Sequence, residues 1–244
     1  TEGQADNYRQ FKLNLRQLCV NGATAKSLSV FSNAHVVELD ERHGYGFALR
    51  HVVDRVDTPF VCVIQHDRTF MRPTPVTQTV RAMWLNAKIK YVGFSMKSNL
   101  MYKDIFIAKY GGSPQQQQEW NEMVLRVPEL LVPATEYGPG SASTQQMTAS
   151  SEHIRQSILS SADGYMSTAQ ATLAVPPVDI DGVMHHQLSL VPTLFWYDNV
   201  HVSETKHYRD FVFHRSYKMV ARGGFVEDKL SPVLKRTVER LGLK

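Results

Sequence analysis

The apolar run FVCVI, at residues 60–64, constrains the fold of this chain more than any other feature. It follows Thr58 and Pro59 and gives way abruptly to Gln65, His66, Asp67 and Arg68. A strand that is apolar at every position is typical of the centre of a parallel sheet, because helices cover both of its faces. We therefore predict that residues 60–64 form a central parallel strand with polar side chains at its exit.

Helical and extended patterns alternate along the rest of the first half of the chain. Residues 5–19 have apolar side chains at spacings of three and four, which predicts an amphipathic helix. The next predicted elements are a strand at 36–39, a Gly-Tyr-Gly turn at 44–46, a helix at 47–56, a helix at 75–87 and a strand at 89–95. This order predicts an α/β fold, with a mixed, mostly parallel sheet flanked by helices.

The second half of the chain is less regular. The segment SPQQQQ at 113–118 and the Ser-, Thr-, Gln- and Ala-rich region at about 133–175 interrupt the pattern, as a flexible insertion or a cover over a site would. Residues 188–202 again resemble a strand, and a last helix is predicted with Ser231 as its N-cap and Pro232 as its first residue. We predict a single domain over residues 1–244.

Composition excludes some classes of function and leaves the compartment open. The net charge is +4, but Lys and Arg are scattered, so nucleic acid is not favoured as a partner. No run approaches the ~20 apolar residues of a membrane span. The first ten residues lack a signal-peptide pattern and an initiator Met, so an anchor or a first strand could precede them. Either the cytoplasm or the lumen of the secretory pathway is compatible with this sequence.

The polar residues after the strand at 60–64 are the first candidate for a site. Open α/β sheets bind ligands beyond the carboxyl ends of their strands. Asp67 could hold a divalent ion that bridges diphosphate oxygens, or accept a hydrogen bond from a sugar hydroxyl. In the alternative interpretation Asp67 only caps the turn and pairs with Arg68.

Two further stretches could bind or activate a substrate. Gly44 and Gly46 lie at a strand-to-helix turn, where backbone N–H groups can approach phosphate, or they form a tight turn only. Glu227 and Asp228 precede the last predicted helix, where one carboxylate could act as a general base toward a hydroxyl. Acids at a helix start also occur for dipole reasons alone.

An aromatic stretch next to polar groups is a candidate sugar-binding surface. Trp196, Tyr197, Asp198 and His201 combine ring faces with groups that can hydrogen-bond hydroxyls, although they could equally form the edge of an aromatic core. Five histidines fall between positions 185 and 214, but without an HExxH motif or a cysteine cluster. A zinc hydrolase is therefore not favoured.

Together these stretches resemble the GT-A type of glycosyltransferase, particularly the family 2-like nucleotide-diphospho-sugar transferases. The segment ELDERHGYGFALRHVVDRVDTPFVCVIQHD resembles the family's glycine turn, helix and buried strand ending in Asp-X-Asp, and GGFVEDKL resembles its later acidic motif. The resemblance implies a GT-A, Rossmann-like fold and transfer of a hexose or pentose from a donor such as a UDP-sugar to a hydroxyl acceptor, with inversion at the anomeric carbon.

The resemblance also assigns roles to residues. Asp228, or Glu227, would be the catalytic base. The nucleotide sugar would bind along Asp40, Gly44, Gly46, Arg50, Gln65, His66, Asp67 and Arg68. Trp196, Tyr197, Asp198 and His201 would hold the sugar or the carbohydrate acceptor.

Two departures from the family pattern affect the expected cofactor and donor site. Gln65-His66-Asp67 replaces Asp-X-Asp, so Mn or Mg would depend on Asp67 with help from His66, or arginines would carry the diphosphate charge instead. The family's first strand has no counterpart in these residues. The alternatives are a nucleotidyltransferase and a non-catalytic nucleotide- or carbohydrate-binding protein of the same fold.

Overall fold

A computed structural model describes residues 2–24, 29, 31–66, 68, 70, 74–94, 113–135, 178–193, 195–221 and 223–241. The chain divides into two compact units, Thr1–His43 and Gly44–Lys244, which are described separately. Within the described residues, no helix combines the length and the apolar character needed to cross a membrane.

The described residues of the first unit form one long helix and an irregular segment. Helix α1 spans Glu2–Thr24, so it is confirmed and extends beyond the predicted 5–19. The Glu38 carboxylate accepts hydrogen bonds from Lys12, at 2.9 Å, and from Arg16. The predicted strand at 36–39 is wrong, because residues 34–39 have no regular secondary structure and pair with no strand in the described part of the chain.

The second unit contains the sheets and the remaining described helices. Its elements, in chain order, are α2 (Tyr45–Val53), β1 (Phe60–Val63), α3 (Val76–Leu85), β2 (Tyr91–Gly93), α4 (Pro114–Met123), β3 (Leu125–Pro133), β4 (Val178–Ile180), β5 (Val183–Leu190), β6 (His201–Glu204), α5 (Thr205–His207), a π-helix (Tyr208–Val212) and α6 (Glu227–Leu241).

The first sheet has the strand order β1-β6-β2, and β6 is antiparallel to both of its neighbours. Val63 and Gly93 both lie opposite His201, so β1 and β2 run in the same direction with β6 between them. The prediction that residues 60–64 form a central parallel strand is therefore wrong for the described sheet. The run lies at an edge, where Val63 is buried but the side chain of Ile64 is 53% exposed. Apolar composition alone does not fix a strand's position in a sheet.

Helices cover both faces of this sheet, as a layered α/β fold requires. On one face, α2, α6 and the π-helix bury a cluster that includes Val53, Trp196, Tyr208 and Leu230. On the other face, Met83 of α3 packs against Val92 and Val202. The mixture of helices and sheet is thus confirmed, whereas the described strands pair in an antiparallel manner.

The second sheet, β3-β5-β4, is also antiparallel and was not predicted. Asp181 and Gly182 join β4 to β5 with φ values of 52° and 79°, the backbone of a two-residue hairpin turn. The Gly182 N–H donates to the Asp179 carboxylate at 2.8 Å. The Asp-Gly pair was thus a readable hairpin signal within the chain.

Three further boundaries differ from prediction. The SPQQQQ segment begins helix α4, because Pro suits a first helical position and Gln favours helix. The strand-like stretch at 188–202 divides between β5 and β6, which belong to different sheets. Helix α6 begins at Glu227, so Ser231 is not its N-cap; the Ser231 hydroxyl donates to the Trp196 carbonyl at 2.7 Å, and Pro232 lies inside the helix. Most of the insertion predicted at about 133–175 lies outside the described residues, which stop at residue 135 and resume at residue 178.

Candidate functional site

The candidate site lies at the end of the first sheet where strands β1 and β2 end and β6 begins. We call it the sheet-edge site. Gln65 and His66 follow β1 after Ile64, and the Phe94 N–H after β2 donates to the Val200 carbonyl before β6 at 2.9 Å. Because β6 is antiparallel, the segment that precedes it reaches the same edge as the ends of the other two strands. The polar exit of the apolar run and the aromatic stretch at 195–201 are therefore brought together.

A reciprocal contact between Asp198 and Glu227 forms the centre of this site. The Glu227 N–H donates to Oδ2 of Asp198 at 3.0 Å, and the Asp198 N–H donates to Oε2 of Glu227 at 3.2 Å. Trp196 donates its Nε1–H to Oδ1 of Asp198 at 3.0 Å. Asp198 thus caps the N-terminus of α6 from a segment that precedes β6.

Burial makes the Asp198 carboxyl a weaker acid than an exposed aspartate. Its side chain is 1% exposed, and this burial raises the pKa of the carboxyl to about 6. The hydrogen bonds from Glu227 and Trp196 oppose the shift, and the negative charge of Glu227 adds to it. A carboxyl group with this pKa exchanges its proton close to neutral pH, which is a property of catalytic sites and of some buried structural acids.

Tyr45 joins the same cluster from the start of α2. Gly44 has a φ of 79°, the Gly46 N–H donates to the Gly224 carbonyl at 3.1 Å, and the Tyr45 ring stacks on Phe225 at 4.9 Å. Burial, followed by the charge of Asp198, raises the pKa of the Tyr45 hydroxyl to about 12.

The Tyr45 hydroxyl is buried, and the charges of Asp198 and Glu227 are among the causes that raise its pKa. The side chain of Gln65 is close enough to lower its pKa slightly, yet no described residue meets hydrogen-bond geometry with it. Sequence reasoning considered the two glycines on either side of Tyr45 and missed the tyrosine itself. Its position between two glycines, at the turn predicted before helix α2, was the available signal.

Aromatic rings form a supporting layer under the acids. The Tyr91 ring lies 4.4 Å from Trp196, and its hydroxyl donates to the Tyr197 carbonyl at 2.8 Å. His201 is fully buried, contacts the Asn199 carbonyl and the Tyr208 hydroxyl through its two ring nitrogens, and has its pKa lowered by burial to about 4. The imidazole is therefore neutral at neutral pH, with Nδ1–H donating to Asn199 and Nε2 accepting from Tyr208.

The two adjacent acids at the start of α6 diverge. Glu227 is half-buried and its charge raises the pKa of both Tyr197 and Asp198, so it faces the cluster. Asp228 is exposed, and its Oδ2 accepts a hydrogen bond from the Phe225 N–H at 2.9 Å. The Glu227 carboxylate thus faces the interior of the site, and the Asp228 carboxylate lies at its surface.

Several predicted site residues lie away from this cluster or make contacts within the chain that explain them. Asp40 is exposed in the first unit. A Cβ on Gly44 would lie 2.4 Å from the Gly223 Cα, so the close approach of residues 223–224 explains the glycine without a ligand. Arg50 lines a cleft with residues 212–215 and 218–220, and Gln65 and His66 are not among that cleft's lining residues.

The predicted substrate-binding residues differ in their access to solvent. Trp196, Asp198 and His201 are buried and contact one another or the protein backbone, whereas Tyr197 is partly exposed. In this arrangement the buried side chains form the wall of the site, and Tyr197 with Asp228 lies closer to solvent.

The metal prediction depends on a residue outside the described part of the chain. Asp67, the one carboxylate assigned to a metal, is not described. Among the described residues, no three His, Cys, Asp or Glu side chains converge into a group able to hold a metal ion. The described donor set therefore does not fit a metal centre by itself.

Comparison of the chain with protein-family models, with curated proteins and with solved structures finds no match. The function is therefore inferred from the chemistry of the site.

Proposed function

We propose that the chain is a glycosyltransferase that moves a sugar from a nucleotide-diphosphate donor to a hydroxyl acceptor with inversion. The observation that carries the proposal is the reciprocal contact of Asp198 with Glu227 at the end of the sheet where β1 and β2 end, with the exposed Asp228 next to it on α6. Transfer to a hydroxyl needs a carboxylate base held beside a surface that can bind a sugar, and this edge offers both.

Asp228 is the proposed base. Because its Oδ2 is held by the Phe225 N–H, the side chain is fixed while its other oxygen is on an exposed group. That oxygen would accept the proton of the acceptor hydroxyl as the hydroxyl oxygen attacks the anomeric carbon. The nucleoside diphosphate would depart from the opposite face, which inverts the configuration.

Glu227 is the proposed positioning residue. Its contact with the Asp198 backbone ties the start of α6 to the segment before β6, and so fixes where Asp228 projects. Positioning of this kind matters because a small displacement of a reacting group costs much of the rate.

The donor is proposed to lie along the exit of β1. Gln65 and His66 supply hydrogen-bonding groups there, and Arg68 supplies positive charge for the diphosphate. Tyr197 provides a partly exposed ring beside Glu227 for the sugar.

The test is a set of nucleoside diphosphates and nucleotide sugars, with and without Mn, measured by thermal unfolding and by release of nucleoside diphosphate. A ligand at 100 times its Kd stabilises the native state by about 2.7 kcal/mol, which corresponds to a rise of several degrees in Tm. We expect at least one diphosphate to raise Tm and its sugar conjugate to be turned over.

Other outcomes separate the alternatives. If no nucleoside diphosphate or nucleotide sugar raises Tm at millimolar concentration, the transferase proposal fails. Stabilisation without turnover indicates a binding protein. Pyrophosphate release from a nucleoside triphosphate and a sugar phosphate indicates a nucleotidyltransferase.

A further inference from the structure

A concave surface lies between α2 and the segment that follows the π-helix. This basic cleft has a volume of about 460 Å³. Its lining residues are Phe47, Arg50, Val212, Phe213, His214, Arg215, Lys218, Met219 and Val220. None of the acids or tyrosines of the sheet-edge site is among these lining residues.

We propose that the basic cleft binds a phosphate monoester that carries an apolar group. The proposal does not depend on the glycosyltransferase proposal, because it concerns different residues and a different ligand. It follows from the charge of the cleft, from its backbone and from its apolar wall.

The charge of the cleft is one-sided. Arg50, Arg215 and Lys218 are cationic, and no acid is among the lining residues that the structure describes. Arg50 approaches Asp54 only at 3.8 Å on a partly exposed surface, where ion pairs contribute little. Within the described part of the chain, Arg215 and Lys218 form no ion pair. Cations gathered without acids repel one another, and a bound anion relieves that repulsion.

His214 adds a hydrogen-bond donor to the same wall. Its Nδ1 accepts a hydrogen bond from the Ser216 N–H at 3.3 Å, which places the proton of the neutral ring on Nε2. This Nε2–H can donate a hydrogen bond to a phosphate oxygen bound in the cationic cleft. The arginine guanidinium groups can bind such a ligand through paired N–H donors, which favours phosphate over a less charged acid.

The backbone around the cleft is held in uncommon conformations. Lys218 has a φ of 50°, in the left-handed region that side chains other than Gly, Asn and Asp seldom adopt. Val212 ends the π-helix, an element that is rare and that occurs frequently at functional sites. Conformations of this kind cost stability, and proteins retain them mostly where a site requires them.

The remaining wall is apolar and defines the second part of the ligand. The partly exposed side chains of Phe47 and Met219 line the cleft beside the cations. A bare inorganic anion would leave this surface in contact with water. A phosphate ester with an aromatic or aliphatic group would bury it and would gain binding free energy from the apolar area removed from water.

The experiment measures binding of phenyl phosphate to the whole chain by calorimetry and by NMR chemical-shift changes. We expect phenyl phosphate to bind more tightly than inorganic phosphate, phenol or benzoate, since only phenyl phosphate combines two negative charges with a ring. Its affinity should fall as salt is raised, because the contact is largely electrostatic. No binding of phenyl phosphate at millimolar concentration would overturn the proposal.

Two variants and one control locate the site. Lys218→Asn removes the charge but tolerates the left-handed backbone, so Tm should be retained while affinity falls about tenfold. Arg215→Gln should weaken binding by a similar factor. Lys206→Gln is the control, because Lys206 is an exposed lysine that pairs with Asp210 at 3.8 Å and is not part of the lining. Equal binding by all three variants would place the ligand elsewhere and reject the cleft.

The same titration separates this inference from the proposed function. Lys218→Asn should leave stabilisation by a nucleoside diphosphate unchanged, whereas its phenyl phosphate affinity falls. If instead both responses disappear together, the cleft is part of the donor site and the proposal of a separate site is wrong. If phenyl phosphate binds and no nucleotide does, the cleft stands and the transferase proposal fails.

Discussion

Asp198 and Glu227 exchange hydrogen bonds in both directions, each donating its backbone N–H to the carboxylate of the other, at 3.2 and 3.0 Å. The pair joins the segment before β6 to the first residue of α6. This contact satisfies a backbone donor that the start of a helix otherwise leaves unpaired. It also holds two carboxylates side by side at the sheet edge, which makes the local charge sensitive to pH.

Asp198→Asn is expected to destabilise the fold. Oδ1 and Oδ2 of Asp198 both accept hydrogen bonds, and an asparagine would present an NH₂ group to one of the two donors. A buried donor left unsatisfied costs about 1–3 kcal/mol. The free energy of unfolding in urea should fall by this amount.

The control for that loss is Asp210→Asn. Asp210 is exposed and approaches Lys206 only at 3.8 Å, so its removal should change stability by less than about 0.5 kcal/mol. Equal unfolding midpoints for the two variants would mean that the contact between Asp198 and Glu227 contributes little.

Asp198 and His201 should give the stability opposite dependences on pH in the same window. The pKa of Asp198 rises from 3.8 to about 6 on folding, so its favourable contribution is complete below the unfolded value and is lost as pH rises through about 6. The pKa of His201 falls from 6.5 to about 4, so stability is lost as pH falls through this range. The two effects partly cancel in the native chain.

Removing either group should reveal how the other group makes the free energy of unfolding depend on pH. Relative to the unmodified chain, Asp198→Asn should show stability that rises more steeply with pH between about 4 and 6, and His201→Gln stability that rises less steeply or falls. Each slope can reach about 1.4 kcal/mol per pH unit. Urea unfolding at several pH values measures the slopes, and parallel curves for all three proteins would contradict the assigned environments.

Gly44→Ala is expected to destabilise the chain more than Gly182→Ala. Both glycines have a φ of 79°, so both alanines adopt a strained backbone, at about 1–2 kcal/mol. A Cβ at position 182 meets nothing within 4 Å, whereas one at position 44 would lie 2.4 Å from the Gly223 Cα. The difference between the two losses measures the close approach, and equal losses would show that the backbone at Gly223 yields easily.

Local patterns predicted much of the second unit, because they depend on residues close in sequence. Helix α2 follows from the glycine turn and the apolar spacing after it, and β1 from an apolar run bounded by Pro59 and Gln65. The Asp181-Gly182 turn was equally local and could have revealed β4 and β5. Where elements were missed, the cause was a local signal that was not used or a competing composition, as in the glutamine-rich helix α4.

Pairing between distant segments could not be predicted in the same way. The apolar run at 60–64 does not encode that its partner is β6, which is antiparallel and more than a hundred residues away. The contact of Asp198 with Glu227 also joins separate segments, so the burial of that aspartate is a tertiary property. The sequence could therefore identify the acids as candidates for the site, but it could not show that Asp198 is buried and Asp228 exposed.

The division of roles between the two acids of α6 is the sharpest test of the proposed chemistry. Asp228→Asn keeps an oxygen that can accept the Phe225 N–H, so the loop and Tm should be retained. If Asp228 is the base, turnover should fall by about 10²- to 10⁴-fold with little change in donor affinity.

Glu227→Gln is the matched variant, because it keeps an acceptor for the Asp198 N–H and removes only the charge. This charge contributes to the raised pKa of Asp198, so Glu227→Gln should lower that pKa and shift any acidic limb of the pH–rate profile, with a smaller loss of turnover than Asp228→Asn. The measurements are kcat and KM against pH for both variants, with donor affinity measured separately. A larger loss in Glu227→Gln than in Asp228→Asn would exchange the two roles, and full activity in both would remove the acids of α6 from the mechanism.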